Sequence, residues 1–145
     1  MGLRIRASMG SPSLQNAALV ALGAVPGAWL RYRLVDRLAP LLPRRHWATF
    51  AVNVSACFSL GLVTALIGRR GGDQPLSLLL ATGFLGSLST FSSFSVEVLQ
   101  AWLGGERRQA LALVIGSSAV GLLAVLIGLN LGPHLGPHLG LEVGR

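Results

Sequence analysis

Long apolar blocks separated by short polar stretches make up this chain. The blocks cover about residues 14–30, 47–67, 76–103 and 110–131. An α-helix needs about 20 predominantly apolar residues to cross the hydrocarbon of a bilayer. The pattern predicts an all-α membrane protein with four transmembrane helices, all within one membrane domain, 14–131. Residues 1–13, polar and basic, are expected to form a disordered N-terminal segment, and Met9 is an alternative start. A basic start before an apolar run also suits a signal peptide. Three further spans and the features of the first argue against that reading.

The third block does not look like a plain lipid-facing helix. From Gly83 to Glu97 it holds two Gly, five Ser, one Thr and an acid. In hydrocarbon, backbone leaves the helix only where protein or a lined cavity satisfies it. Gly and Ser at this density and depth predict that the third helix is broken. A broken helix presents carbonyls and N–H groups to each other, and such facing ends hold ions.

The other spans carry fewer signals. Gly23-xxx-Gly27 in span one lets another backbone approach closely, and Pro26 removes one helical hydrogen bond. Residues 34–42 are short, mixed and Pro-bounded, which predicts a loop or an interfacial turn. Arg44-Arg45-His46-Trp47 places basic and aromatic side chains at headgroup level. Span two holds no charge but contains Asn53, an amide that must face protein or water at that depth. Ser55-xxx-Ser59 is a second small-residue seam. The Pro/Gly-rich repeat that carries His134 and His138 cannot hold a helix, so 132–145 is expected to be a disordered tail.

Composition sharpens the class. Mean hydropathy is +0.63. Charged residues are 12% of the 145, against about a quarter in soluble domains. The net charge of +7 comes from Arg alone, with no Lys, and the Arg residues flank the apolar blocks instead of forming one nucleic-acid-binding face. Four spans put both termini on one side. That side carries Arg4, Arg6, Arg69, Arg70 and Arg145; the other carries Arg31, Arg33, Arg37, Arg44, Arg45, Arg107 and Arg108. Five against seven is a weak bias for the positive-inside rule. The single Cys57 cannot form an internal disulfide and reads as a small buried apolar residue.

No catalytic set is visible: no Ser-His-Asp arrangement, HExxH, CxxC or phosphate loop. The chain reads as a non-enzyme. What remains is a set of hydrogen-bond donors, namely Asn53 and the hydroxyls of Ser89, Thr90, Ser92, Ser93 and Ser95. Phe91 and Phe94, three apart, share a helical face, and their ring edges carry partial positive charge. Donors and ring edges suit a small anion that must give up its water. Ordinary packing of the rings is the competing reading, as is an interhelical hydrogen bond for Asn53 and a snorkelling flank for Arg31.

Gly-Phe-Leu-Gly-Ser-Leu-Ser-Thr-Phe-Ser-Ser-Phe-Ser-Val-Glu, Gly83 to Glu97, resembles the third-span signature of the Fluc, or CrcB, fluoride channels, G-F-x-G-G-x-T-T-F-S-T-F-S-x-E. Gly27-Ala28-Trp29-Leu30-Arg31-Tyr32 is similar to that family's span-one end, and Thr49-Phe50-Ala51-Val52-Asn53 to its span-two motif. The resemblance implies a multi-pass cell-membrane protein that lets fluoride leave the cytoplasm passively. It implies an antiparallel, dual-topology dimer, of two identical chains or of this chain with a paralogue. The near-even Arg count agrees with that topology. It implies a structural Na⁺ at the dimer centre on main-chain carbonyls of Gly86 and Ser89. It implies a fluoride path along Asn53, Phe91, Phe94, Thr90, Ser92 and Ser93, with Glu97 and Arg31 at the pore mouth. Ser87, Ser89 and Ser93 depart from the family's Gly, Thr and Thr, and the fourth span has Leu113 near a position where some members place Tyr. Two other classes stand beside this one: a small non-channel scaffold whose Gly/Ser stripe packs helices, and a proton-coupled fluoride carrier using Glu97.

Overall fold

A computed structural model describes residues 12–42, 45–69, 71–89 and 91–136, except for the side chains of 12, 45 and 91. Most of the expected N-terminal segment, Arg44, Arg70, Thr90 and the end of the tail with His138 lie outside the described residues. Four helices follow one another, the third of them broken. Helix α1 is Pro12–Leu38 and α2 is Arg45–Arg69. Helix α3 covers 74–88, α4 is Phe91–Leu103, and α5 is Arg107–Leu135.

Among the described residues, three stretches are long and apolar enough to cross a membrane: His46–Arg69, Gln74–Leu103 and Arg107–Leu135. The outer faces of these stretches and of α1 stay apolar. Leu22, Val25, Leu103, Ile115 and Leu122 are each more than 60% exposed. Water does not tolerate so much contiguous apolar surface, whereas lipid does. The chain is a multi-pass membrane protein.

Helix α1 continues to Leu38, so most of the expected loop at 34–42 is helical, closed by a 3₁₀ turn at Ala39–Leu41. Leu30, Leu34 and Leu38 recur every four residues and pack with Val35 on a core of Val52, Ala56, Leu85 and Leu88. Arg33 and Arg37 take the exposed face. The charges that suggested a loop sit on one side of a helix.

Backbones meet where glycine permits it. A Cβ on Gly23 would run into the Leu79 carbonyl and lie 2.8 Å from the Phe84 nitrogen. One on Gly83 would lie 3.0 Å from the Gly23 Cα, so α1 and α3 touch main chain to main chain. Helices α2 and α5 do the same at Gly61 and Gly128, where an added Cβ on Gly128 would stand 2.8 Å from the Leu62 nitrogen. The α2 seam is therefore Gly61 and not Ser55. Ser55 is exposed, and its hydroxyl donates to the Ala51 carbonyl of its own helix at 2.8 Å. Gly23→Ala is expected to cost about 2 kcal/mol or more, because the obstructing atoms are backbone and cannot swing away. Gly68→Ala, where a new Cβ meets nothing within 4 Å, should leave stability unchanged. Thermal unfolding in detergent checks the pair.

Asp73 starts α3 by accepting a hydrogen bond from the Leu76 amide at 3.2 Å. After one α-helical turn the helix widens to π geometry over Leu78–Leu85, and the Gly86 amide reaches back to the Ala81 carbonyl. Such widened turns gather at functional sites. The helix ends at Ser89, whose ψ of 137° is extended. Beyond the break, α4 leads through Gly104-Gly105, Gly105 at φ 83°, into α5. Helix α5 runs to Leu135 through Pro133, past the point where the tail was expected. A proline in the last turn removes a single bond, and Arg69 of α2 donates to the Pro133 carbonyl at 3.0 Å.

Candidate functional site

Two cavities adjoin the broken third helix, a polar one beside Ser93 and Glu97 of α4 and a mostly apolar one beside Ser89 at the break. At the α1 end, Arg31 donates through Nη1 to the Ser93 hydroxyl at 3.4 Å, tying α1 to α4. Arg31 Nε is buried and has no hydrogen-bond partner. On α2, Thr49 is only 3% exposed, and its hydroxyl donates to Glu97 Oε1 at 2.7 Å. That short charge-assisted bond joins α2 to α4. Arg31, Thr49, Asn53, Ser93 and Glu97 line one cavity of about 130 Å³, with Tyr32 and Asp36.

A second cavity of about 210 Å³ lies on the other side of Asn53. Ser89 and Phe94 line it, together with Cys57, Ser117 and Ser118. Among the described residues, Asn53 is the one common to both linings. Cys57 is half-buried on this wall, not packed away in an apolar core. Glu97 also borders a third space of about 320 Å³ lined by His46, Gln100, Glu106 and Gln109.

The described residues therefore bring Arg31, Asn53, Ser93 and Glu97 together, and Asn53, Ser89 and Phe94 together. Ser92 is exposed and lines neither cavity. Gly86 is exposed at the break. Thr90 and the side chain of Phe91 lie outside the described residues. The linings offer donors, an amide, hydroxyls and a guanidinium, beside the carboxyl groups of Asp36 and Glu97 in the first cavity. Such a lining replaces part of the hydration of an anion.

The family described as CrcB-like protein, Camphor Resistance (CrcB), matches residues 18–129. The chain belongs to the CrcB family. Among curated CrcB-type relatives it is 55% identical over 119 residues to the fluoride-specific ion channel FluC 1 of Prochlorococcus marinus (strain MIT 9313), covering 80% of this chain and 91% of that one. It is 49% identical to the FluC 1 of Synechococcus sp. (strain CC9902), covering 82% and 94%. It is 41% identical to the FluC of Synechocystis sp. (strain ATCC 27184 / PCC 6803 / Kazusa), covering 80% and 91%.

In this CrcB chain, sequence reasoning passed over one residue of the site. Thr49 was part of a span-two motif but had no role assigned. Its signal was its spacing: four before Asn53, on the same helical face, in a span without charge. Ser87, which stands where the CrcB signature has Gly, also acquires a role. Its hydroxyl lies 2.9 Å from the Ala24 carbonyl and 3.0 Å from that of Phe84, and its single proton serves one at a time. It braces α3 on α1 beside the break.

Proposed function

We propose that the chain is a fluoride-specific channel, not an enzyme, through which fluoride leaves the cytoplasm down its gradient. One observation carries the reading in the molecule itself: Asn53 stands between a cavity holding Arg31, Ser93 and Glu97 and another holding Ser89 and Phe94. A fluoride ion passing Asn53 exchanges water for an amide N–H, hydroxyls and the edge of the Phe94 ring. The high identity to channels of that name supports the same substrate.

The working unit is an antiparallel dual-topology dimer in which α1 is the fourth span of each protomer. The near-even Arg distribution supports it, as do the apolar faces that α4 and α5 leave exposed, Leu103, Ile115 and Leu122 among them. Main-chain oxygens of Gly86 and Ser89 would hold a structural Na⁺ at the dimer centre. The residues present fit such a hard cation. The helix ladder stops at Ser89, which frees carbonyls of the last turn, and Gly86 is exposed on the protomer surface. The ion supplies charge to hold two broken helices together and is not itself conducted. Thr90, Phe91 and Ser92 complete the path, Ser92 from the exposed side of α4. Glu97 and Arg31 mark its mouth.

A scaffold would use its small residues for packing, and Gly23, Gly83, Gly61 and Gly128 do so. Asn53 and Phe94 line cavities instead, which favours conduction. A proton-coupled carrier would use Glu97, whose carboxylate is held by Thr49.

Efflux from liposomes separates these readings. The purified protein should release fluoride when a potassium ionophore balances charge, with no dependence on a pH gradient. No release would remove the channel, and flux that follows the pH gradient would favour the carrier. Phe94→Ile should keep a folded dimer and lower that efflux about tenfold or more, equivalent to about 1.4 kcal/mol. Shape and apolarity are nearly kept by this change, so unchanged flux would place the ring in packing alone.

A further inference from the structure

The end of the molecule where α1 finishes and α5 begins carries a surface that the ion path does not use. All three Trp of the chain lie there, and each is close to half exposed or more: Trp29 at 58%, Trp47 and Trp102 at 47%. Two have a guanidinium over the ring. Arg33 lies 5.1 Å from the Trp29 centroid, and Arg107 lies 5.4 Å from that of Trp102. A stacked guanidinium is held in place while its in-plane N–H edges remain available to an acceptor.

The start of α5 carries more positive than negative charge. The helix is 29 residues long, Glu106 stands at its N-cap, and no further acid follows in the first turn. Arg107 and Arg108 add two positive charges to the positive end of the helix dipole. Both are exposed. One acid, Glu106, against two guanidinium groups and the dipole leaves this end net positive and attractive to a phosphate. Among the described residues at the opposite end, Arg69 is committed to the Pro133 carbonyl, with its Nε buried.

We propose that this end of the protomer binds the headgroups of anionic phospholipids, seated mainly on Trp102, Arg107 and Arg108, with Trp29 and Arg33 as a second seat. The ring lies at the level of the headgroup and acyl boundary, and the guanidinium takes the phosphate. A bilayer is the one partner that this surface meets at both features at once. The proposal does not depend on which ion the protein conducts.

The test uses the intact chain in vesicles of equal parts phosphatidylglycerol and phosphatidylcholine. After extraction, native mass spectrometry counts each lipid retained. The wild-type protein should retain phosphatidylglycerol over phosphatidylcholine by about fivefold, the factor expected from one basic side chain at an anionic surface. In Arg107→Gln/Arg108→Gln, which leaves the Trp29 and Arg33 seat, the ratio should fall by more than half, and adding Arg33→Gln should bring it close to one, with helical circular dichroism unchanged. Trp102→Leu, which keeps both charges, should lower the ratio by less. Equal retention of the two lipids by the wild-type protein would overturn the proposal without any variant. So would a ratio that survives loss of both charges.

Discussion

Asn53→Ala should lower fluoride efflux by about tenfold or more while leaving a folded dimer. The expectation comes from where the amide stands. Helix α2 is held by other residues: Val52 and Ala56 face the apolar core, and Gly61 faces α5. Asn53 faces the cavities on either side of it. Fluoride gives up strongly held water to pass, and each donor lost leaves part of that dehydration uncompensated. One hydrogen bond to a charged partner is worth about 1.5–3 kcal/mol, and each 1.4 kcal/mol is tenfold in rate. Asn53→Asp is a second arm. It keeps the size, removes the N–H and adds a repelling charge, so it should be at least as damaging to flux. Efflux from liposomes and dimer content by crosslinking are read on the same preparations. A dimer that falls apart in Asn53→Ala would assign the amide to interhelical packing.

Gly86→Val should abolish the dimer, and with it the flux, without unfolding the protomer. Inside one protomer there is room for the change. Among the described residues, a Cβ at Gly86 would meet only the Ala81 carbonyl, at an ordinary 3.7 Å. The backbone there, φ −62° and ψ −35°, is helical and accepts any residue. Gly23 is the opposite case, closed off by α3 of the same chain. Damage at Gly86 would therefore come from what a second chain brings to the break: its own backbone and a shared cation, both of which need close approach. Ser89→Ala is the companion change. Main-chain oxygens survive it, so the dimer should persist, and since the hydroxyl lines the Phe94 cavity, any fall in flux should be smaller than for Asn53→Ala. Size-exclusion chromatography with and without Na⁺, beside efflux, reads both. Normal dimer and normal flux in Gly86→Val would move the contact between chains away from the break. Equal loss of dimer in both variants would make the Ser89 hydroxyl a cation ligand.

The break illustrates how much of the site was legible beforehand. Gly and Ser clustered at mid-depth announced that the third helix could not be regular, and the ladder stops at Ser89. Two boundaries were misread for the same reason. Residues 34–38 and 132–135 contain charges or Pro and Gly that argue locally against a helix, yet both stretches are helical. Burial of Leu34, Val35 and Leu38 outweighs the local signal in the first. In the second, the cost of Pro133 is limited to the last turn, where Arg69 reaches its carbonyl.

The sequence by itself determined the solvent, the helices and the chemistry on offer. Apolar blocks of spanning length, flanked by Arg, leave few alternatives to helices in a bilayer, because hydrocarbon satisfies no backbone group. It also determined that donors and aromatic rings, not nucleophiles, fill the polar positions. Which of those donors act together was decided only by the tertiary structure. Ser92 and Ser93 are neighbours, yet one is exposed and the other accepts from Arg31, since successive helical residues point about 100° apart. Thr49 meets Glu97 across 48 residues, and Arg31 meets Ser93 across 62. Such pairings depend on how far each helix is rotated about its axis. That rotation is set by the glycine contacts that let α1 lie on α3 and α2 on α5, which no local stretch of sequence encodes.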